Sequence, residues 1–185
     1  QGLHIDNEHF MIISPDEGSM SRAIYLANIL GVDMGMYYKR LDYSKNVGGR
    51  HPIAAYEFLG PNVAGKDMIL IDDMISSGDT ILASLLKDRG AGRIYLCSTF
   101  GLFTDNLKKF DEAHAAGVFD KLLTTNMVYQ SEELLAKPYY ISCDMSKYIA
   151  LIIDTLNHDM SVSHLLNPVD RIKRCVNKYM AQYEK

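Results

Sequence analysis

The sequence has few cysteines, and they form none of the patterns of disulfide-rich or metal-binding proteins. The three cysteines among its 185 residues are Cys97, Cys143 and Cys175, which lie far apart and in no CxxC spacing. An odd, sparse set of this kind is typical of reduced thiols in the cytoplasm. We therefore predict a cytoplasmic protein without disulfide bonds, in which Cys97 and Cys143 are small buried residues of strands.

Other absences exclude further classes of protein. No apolar run approaches the ~20 residues that are needed to span a bilayer. The 19 basic and 23 acidic residues are spread along the chain and give a formal net charge of −4. This balance favours neither nucleic acid nor a membrane surface as a partner. The six histidines show no metal-ligand spacing, so we assign them no metal or catalytic role.

The length and composition indicate one globular domain. A hydrophobic content of 48% over 185 residues suits a single domain at 1–185, with a core at about 10–166 and a C-terminal helix at about 167–185. That helix has one apolar stripe, which either caps the domain or docks a partner. The chain begins Gln1-Gly2 without a Met, so we expect a tag remnant or a piece of a longer protein.

What the sequence does contain is an alternation of strand and helix patterns. Short apolar runs predict strands at Phe10–Ser14, Met34–Tyr38, Ile53–Leu59, Asp67–Ile71, Arg93–Thr99, Lys121–Thr125 and Pro138–Ser142. Helical spacing predicts helices at Met20–Leu30, Thr80–Arg89, Asp105–Ala116, Ser146–Leu156 and 167–185. This order is typical of an α/β fold, a mostly parallel sheet flanked by helices. A small hairpin with its turn at 60–62 and a long loop at 39–52 interrupt the alternation.

The most informative segment is ILIDDMISSGDTI at residues 69–81. Asp72 and Asp73 end the predicted strand, and adjacent carboxylates need partners such as sugar hydroxyls or a divalent cation. The polar run that follows leads into a helix and offers hydroxyls and backbone N–H groups to an anion. Its members are Ser76, Ser77, Gly78, Asp79 and Thr80. The segment predicts a sugar-phosphate site, with an N-capped helix after an ordinary strand as the simpler alternative.

Other loops are predicted at the same edge of the sheet. The loops after Ile13, Tyr38, Ile71 and Cys97 should face one crevice, because the carboxyl ends of parallel strands share one edge. The stretch 14–19, followed by Arg22, is either a second anion site or an ordinary helix cap.

The long loop and the end of the fifth strand are also ambiguous. Lys39 and Arg40 open the loop at 39–52, which also contains Lys45, Arg50 and His51. These cations either close over a phosphoryl chain or form a solvated basic turn. Phe100 and Phe103 are expected to pack in the core rather than against a base.

These segments resemble the type I phosphoribosyltransferases, and in particular the ribose-phosphate diphosphokinase (PRPP synthetase) family. ILIDDMISSGDTI resembles the PRPP motif, IISPDEGSMSRA the pyrophosphate loop, and YYKR with its long loop the flexible catalytic loop. STFGLFT, TTNMVY and SKYIALIIDTLNHDMSVSHLL resemble later segments, so the resemblance spans Phe10–Leu166 in order. It covers only the second half of that enzyme, which implies that the chain is the C-terminal half of a longer one.

The resemblance implies a role for each matching residue. Asp72 and Asp73 would bind the ribose hydroxyls and Mg²⁺, and the 5-phosphate would be surrounded by Ser76, Ser77, Gly78, Asp79 and Thr80. The diphosphate side would be lined by Asp16, Glu17, Gly18 and Ser19. Lys39 and Arg40 would stabilise the transferring diphosphoryl group. The implied partners are ribose 5-phosphate, ATP, PRPP and further copies of the chain in a homo-oligomer.

Three functions are consistent with these residues. The first is transfer of the diphosphoryl group of ATP to ribose 5-phosphate, with the isolated chain inactive because much of the ATP site lies outside it. The second is a phosphoribosyltransferase that uses PRPP. The third is a non-catalytic, regulatory relative that binds PRPP or nucleotide. Three departures from the family pattern support the third, namely Leu41 for an arginine, Ser76 for an acid and Asp79 for a glycine. A further departure is Phe100, where the family commonly has a histidine.

Overall fold

The computed structural model describes residues 2–41, 44, 53–75, 79–104 and 106–183. Within these residues the strands are β1 Phe10–Ser14, β2 Asp33–Leu41, β3 Ile53–Leu59, β4 Asp67–Ile75, β5 Ile94–Gly101, β6 Lys121–Thr125 and β7 Tyr140–Cys143. The helices are α1 Met20–Leu30, α2 Asp79–Asp88, α3 Lys108–Ala115, α4 Glu132–Leu135, α5 Ser146–Asn157, α6 Ser163–Leu166 and α7 Val169–Tyr183.

The strands form one sheet in the order β3-β2-β1-β4-β5-β6-β7. Every pairing is parallel except that of β2 with β3, which is antiparallel. The predicted α/β fold with a mostly parallel sheet is therefore confirmed. Because the parallel strands share one direction, their carboxyl ends lie along one edge of the sheet.

Apolar side chains fill both faces of the sheet. All five residues of β1 are buried, as expected for a central strand covered on both sides. On one face, Phe10 and Ile12 pack with Ala23 and Ala27 of α1. The larger core on the other face includes Met11, Ile13, Met68 and Leu70 of the sheet, Leu82 and Leu86 of α2 and Phe110 of α3. This double burial provides a rigid platform for the loops at the carboxyl edge.

The C-terminal helix α7 packs on the domain. It contacts α1, and the hydroxyl of Tyr179 accepts a hydrogen bond from the backbone N–H of Leu3 at 2.5 Å. Of the two roles predicted for this helix, the contacts therefore correspond to capping. None of the helices in the described residues combines the length and the apolar character that crossing a membrane would require.

Strand β4 is longer than predicted. The apolar run predicts an end at Ile71, but β4 continues to Ile75 and pairs with β5 as far as Gly101. The prediction that Asp72 and Asp73 follow the strand is therefore wrong. Their polar character does not end the strand, because β5 continues to supply backbone partners and Ile75 is fully buried in the core. Strand β1 pairs with β4 only as far as Leu70, so the two acids project beyond it.

Strand β2 is also longer than predicted, and β3 has a different partner. Lys39 and Arg40 lie within β2, opposite Tyr56 and Ala55 of β3, and do not open a loop. The residues 60–62 do not close a hairpin between β3 and β4, because β3 pairs with β2 instead. Gly35 permits this pairing, since a Cβ there would lie 2.5 Å from Cζ of Phe58.

Two further differences concern helices and cysteines. Helix α3 begins at Lys108 rather than at Asp105, because Asn106 has a left-handed backbone (φ 74°) that a helix cannot continue through. The short helices α4 and α6 were not predicted. All three cysteines are free, as expected, but Cys97 and Cys143 are partly rather than fully buried; this burial raises the pKa of the Cys97 thiol to about 12.

The extension of β4 predicts a measurable difference between two isoleucines. Ile75→Ala should lower the free energy of unfolding by about 2–5 kcal/mol, because it opens a cavity in the core. Ile81→Ala, at a half-exposed position on α2, should change it by no more than about 0.5 kcal/mol. Urea unfolding followed by circular dichroism measures both values, and equal losses would contradict the burial of Ile75.

Candidate functional site

Side chains from four strand ends gather around two adjoining cavities at the carboxyl edge. A cavity of about 430 Å³ is lined by Asp16, Gly18, Ser19, Asp72, Asp73, Met74 and Leu102. A cavity of about 320 Å³ next to it is lined by Asp16, Glu17, Gly18 and Lys39. The prediction of one shared crevice is confirmed for the loops after β1 and β5, which face it together with residues of β2 and β4. The loops predicted after β2 and β4 lie, apart from Ser44, outside the described residues.

A hydrogen bond from Ser19 to Asp72 joins the two halves of the crevice. The buried Ser19 hydroxyl donates to Oδ1 of Asp72 at 2.5 Å, and the same oxygen accepts the backbone N–H of Asp73 at 2.8 Å. Burial raises the pKa of the Asp72 carboxyl above its ordinary value, and the charge of Asp73 adds to this effect, whereas the hydrogen bond from Ser19 opposes it. Asp72 is thus a half-buried carboxylate with a like charge beside it.

Asp16 organises the loop between β1 and α1. Its Oδ1 accepts the backbone N–H groups of Gly18 at 3.0 Å and Ser19 at 3.3 Å. Its Oδ2 accepts from Nζ of Lys39 at 2.8 Å, an ion pair that joins this loop to β2. Burial acts to raise the pKa of Asp16, but the Lys39 ammonium and the two amides outweigh it and hold the pKa below its ordinary value. The predicted diphosphate side and one predicted catalytic cation are therefore in direct contact.

Two further cations belong to β2 and α1 but are not among the residues that line the two cavities. Nε of Arg40 lies 2.9 Å from Oε1 of Glu57, in an ion pair between exposed side chains of β2 and β3. Nη1 of Arg22, in the first turn of α1, donates to the Ser19 hydroxyl at 3.5 Å. Sequence reasoning missed both carboxylate partners of the predicted cations, Asp16 for Lys39 and Glu57 for Arg40. Neither pairing has a signal in the order of residues, because the first joins different loops and the second depends on the β2–β3 register.

Several predicted residues lie outside the described part of the chain. Among the residues expected around a 5-phosphate, these are Ser76, Ser77 and Gly78; in the long loop they are Lys45, Arg50 and His51. Asp79 and Thr80 begin helix α2, one residue earlier than predicted. Strand β4 thus ends at Ile75 and helix α2 begins at Asp79.

An apolar wall stands beside the acidic pair and was not predicted. Met74 and Leu102 are each about half exposed and line the same cavity as Asp72 and Asp73. Phe100 lies opposite Met74 in the β4–β5 ladder. Phe103 packs edge-on against Phe110 with ring centroids 5.3 Å apart, which confirms its predicted place in the core.

A third, larger cavity adjoins this wall at Leu102. Its volume is about 510 Å³, and its lining includes Leu102, Phe103, Lys108, Tyr129 and Glu133. It lies between the residues that follow β5 and those that follow β6. Its size falls in the range of about 300–1,000 Å³ that is usual for small-molecule sites.

The acidic residues at this edge suit a hard divalent cation whose remaining ligands come from water and a bound substrate. Within the described part of the chain, no three His, Cys, Asp or Glu side chains converge closely enough to hold a metal ion by themselves. Mg²⁺ is usually bound by one or two carboxylates, with water and substrate phosphates completing the shell. Asp72 and Asp73 have the required chemistry, since two neighbouring carboxylates in one cavity repel each other without a cation.

Comparison with known proteins identifies the family. The sequence profile of the phosphoribosyl transferase domain matches residues 2–135, which is more than half of the 185 residues. The chain belongs to this family. The match includes every strand from β1 to β6, and with them the whole crevice.

Curated relatives of one kind are similar to the chain over most of its length. The chain is 29% identical over 174 residues to the ribose-phosphate pyrophosphokinase of Vibrio parahaemolyticus, covering 90% of this chain and 50% of that protein. It is 30% identical over 162 residues to the enzyme of the same name from Pasteurella multocida, covering 86% and 48%. The chain thus spans about half the length of the curated relatives that it matches.

A solved structure agrees with the fold. The phosphoribosylpyrophosphate synthetase of Mycobacterium smegmatis superposes with a TM-score of 0.67 at 22% identity, covering 81% of this chain and 45% of that one. Identity at this level supports the fold of the family, and the predicted phosphoribosyltransferase-like architecture is confirmed.

The ion pair between Lys39 and Asp16 predicts a shift that NMR can measure. Lys39→Met should raise the pKa of the Asp16 carboxyl, because it removes the ammonium that stabilises the ionised form. Lys39→Arg, which keeps the charge, should leave that pKa low. A pH titration of the Asp16 carboxyl carbon measures both, and an unchanged pKa in Lys39→Met would contradict the ion pair.

Proposed function

We propose that the chain is the ribose 5-phosphate-binding half of a ribose-phosphate diphosphokinase, which transfers the diphosphoryl group of ATP to ribose 5-phosphate and makes PRPP. One observation carries the proposal: a single cavity is lined by the acidic pair of β4 and by the loop between β1 and α1. An acidic pair suits a diol, and a loop of N–H donors suits an anion. The similarity to ribose-phosphate pyrophosphokinases supports it.

The ribose 5-phosphate would bind between β4 and α2. Asp72 and Asp73 would accept hydrogen bonds from ribose hydroxyls. These neutral donors would stabilise two carboxylates that otherwise lie beside a group of the same charge. The segment of Ser76, Ser77, Gly78, Asp79 and Thr80 would surround the 5-phosphate. Helix α2 begins within this segment, so its N-terminal N–H groups would add partial positive charge.

The diphosphoryl group would bind along the loop from Asp16 to Ser19. In an in-line transfer, the anomeric oxygen bonds to the β-phosphorus while the bond to the bridging oxygen breaks and AMP leaves. Lys39 and Arg40 would lie beside the charge that spreads onto the phosphate oxygens. Both cations belong to β2 rather than to an open loop, so their backbones are held by the ladder with β3.

Mg²⁺ would bind at Asp72 and Asp73 together with substrate oxygens, where it would neutralise phosphate charge. The chain's own contribution is to hold those carboxylates in a half-buried cavity next to the hydroxyl of Ser19. Asp16, Glu17, Gly18 and Ser19 would then line the side of the cavity that faces the diphosphate.

The complete enzyme would need more than this chain. Because the chain matches about half the length of its relatives, we propose that the rest of the ATP site comes from the other half and from a neighbouring copy in a cytoplasmic homo-oligomer. The 185-residue chain alone would then bind ribose 5-phosphate without forming PRPP.

A phosphoribosyltransferase that uses PRPP is the second candidate. The cavity of about 510 Å³ beyond Leu102 favours it, because a base attached to the ribose would need a partly apolar pocket next to the sugar. Such an enzyme would release pyrophosphate from PRPP in the presence of a base, whereas a diphosphokinase would form AMP from ATP and ribose 5-phosphate.

The acidic pair predicts metal-dependent binding of the sugar phosphate. Replacing both acids, Asp72→Asn with Asp73→Asn, should abolish the Mg²⁺-dependent part of ribose 5-phosphate binding in isothermal titration calorimetry. Asp154→Asn, at an exposed acid of α5 far along the chain, is the matched control and should bind like the unchanged chain. Unaltered affinity in the double variant would exclude these acids from the sugar site.

The proposed transfer predicts a split between turnover and binding. The intact gene product should form AMP from ATP only with ribose 5-phosphate and Mg²⁺, and Lys39→Ala should lower kcat by about 100-fold or more while KM changes much less. Lys173→Ala, at an exposed lysine of α7, should leave both values unchanged. A loss of substrate binding as large as the loss of turnover would make Lys39 an ordinary binding cation. No AMP formation despite ribose 5-phosphate binding would indicate a non-catalytic relative.

A further inference from the structure

Leu102 lies between two cavities at the carboxyl edge of the sheet. It lines the cavity of about 430 Å³ that contains Asp72 and Asp73, and it also lines the larger cavity of about 510 Å³. Among the residues that the structure describes, no other residue lines both. Its side chain is about half exposed. One apolar side chain thus separates the proposed sugar site from the neighbouring space.

The backbone on either side of Leu102 holds it at this boundary. Its N–H donates to the carbonyl of Ile75 at 3.1 Å, which ties the turn to the end of β4. Phe103 has a left-handed backbone (φ 45°), an unfavourable conformation for a residue with a Cβ, and its ring is anchored against Phe110 in the core. Gly101 leaves room for this turn, because a Cβ there would lie 2.6 Å from Cε2 of Phe103. The packing therefore fixes the turn that carries Leu102.

The polar groups of the sugar site recognise features that two classes of ligand share. In the proposed function, Asp72 and Asp73 bind the ribose diol and the segment that leads into α2 binds the 5-phosphate. A nucleoside 5′-monophosphate has the same diol and the same phosphate, and it differs from ribose 5-phosphate in carrying a base at the anomeric carbon. Polar contacts of this kind do not distinguish the two ligands. Selection between them must come from the shape of the site at that carbon.

The larger cavity has the lining that a base would need. Aromatic side chains contribute to it, namely Phe103 and the highly exposed Tyr129, together with the polar side chains of Lys108 and Ser131. Such a mixture suits a planar heterocycle that has hydrogen-bonding groups along its edge. Leu102 is the side chain that stands between this space and a ribose bound at the acidic pair.

We propose that Leu102 is a specificity-determining residue, which excludes nucleoside 5′-monophosphates by closing the sugar site toward the larger cavity. Ribose 5-phosphate carries only a hydroxyl at the anomeric carbon and fits in front of the leucine. The inference rests on the proposed function, because it concerns the acceptor of the same reaction. A phosphoribosyltransferase would need the opposite arrangement, since its base must bind next to the anomeric carbon.

The test compares ribose 5-phosphate with inosine 5′-monophosphate as ligands of the 185-residue chain, by calorimetry with Mg²⁺ present. The unchanged chain should bind the nucleotide at least about tenfold more weakly than the sugar phosphate. Leu102→Ala should reduce this difference by about tenfold or more, as expected for shape selection in an apolar pocket. Its affinity for ribose 5-phosphate should change by less than about threefold, because the polar groups of the site remain. Competition between the two ligands establishes that they share one site.

Two variants serve as matched controls, and an NMR measurement locates the base. Leu102→Met keeps the volume of the side chain, and Leu59→Ala shortens a half-exposed leucine at the end of β3 that lines neither cavity. Both should keep the preference of the unchanged chain. In Leu102→Ala, inosine 5′-monophosphate should shift the ring signals of Tyr129, whereas ribose 5-phosphate should not, because only the base enters the larger cavity.

The possible outcomes separate this role from the proposed function. Equal affinity of the unchanged chain for the two ligands, or a full preference retained in Leu102→Ala, would overturn the role of Leu102. An equal loss of preference in Leu102→Met or Leu59→Ala would overturn it too, since it would indicate a general loosening of the fold. The expected result is a gain of binding, which a variant that fails to fold does not imitate. Failure of the unchanged chain to bind ribose 5-phosphate would instead overturn the proposed function.

Discussion

The carboxylate of Asp16 is the contact on which the rest of the crevice depends. It joins the loop after β1 to β2 through Lys39, and its second oxygen folds that loop by accepting two backbone N–H groups. Charge-assisted hydrogen bonds are the strongest polar contacts available to a partly exposed loop. The same fold places Ser19, whose hydroxyl then reaches Asp72 on β4. A single acid thus connects three strands that are brought together only by the sheet.

The parallel sheet makes this connection possible because its register fixes where each acid and each donor lies. Ile13 of β1 is paired with Leu70 of β4, and beyond this pair β4 continues in the sheet alongside β5 alone. A slip of one residue would exchange the faces of β4 and bury the wrong side chains. Ile75 prevents such a slip, since it is fully buried at the far end of the same strand. The core therefore determines the position of the acidic pair from both sides.

Periodicity in the sequence was enough to predict the architecture and the crevice, but not the ends of the strands. The apolar runs of β1, β4 and β5 stand out because both faces of a central strand are buried. The ends of β2 and β4 were missed because polar residues such as Lys39 and Asp72 stay in a strand wherever a neighbour supplies backbone partners. The partner of β3 was missed for a related reason. Its choice of β2 depends on Gly35 leaving room for Phe58, a contact between distant positions that no local pattern reveals.

The same limit applies to the site. Several residues that line the crevice could be predicted from the acids at the end of an apolar run and from the polar turn after β1, because residue type and the predicted edge of the sheet suffice for that inference. The contacts between these residues could not be predicted, because Lys39 and Arg40 pair with carboxylates that come close to them only in the folded sheet. This difference has a chemical consequence. From the sequence alone, Lys39 is a cation that is available to bind a phosphate. In the folded chain its charge is already neutralised by the carboxylate of Asp16. In the proposed function a substrate therefore exchanges partners with groups that are already paired in its absence.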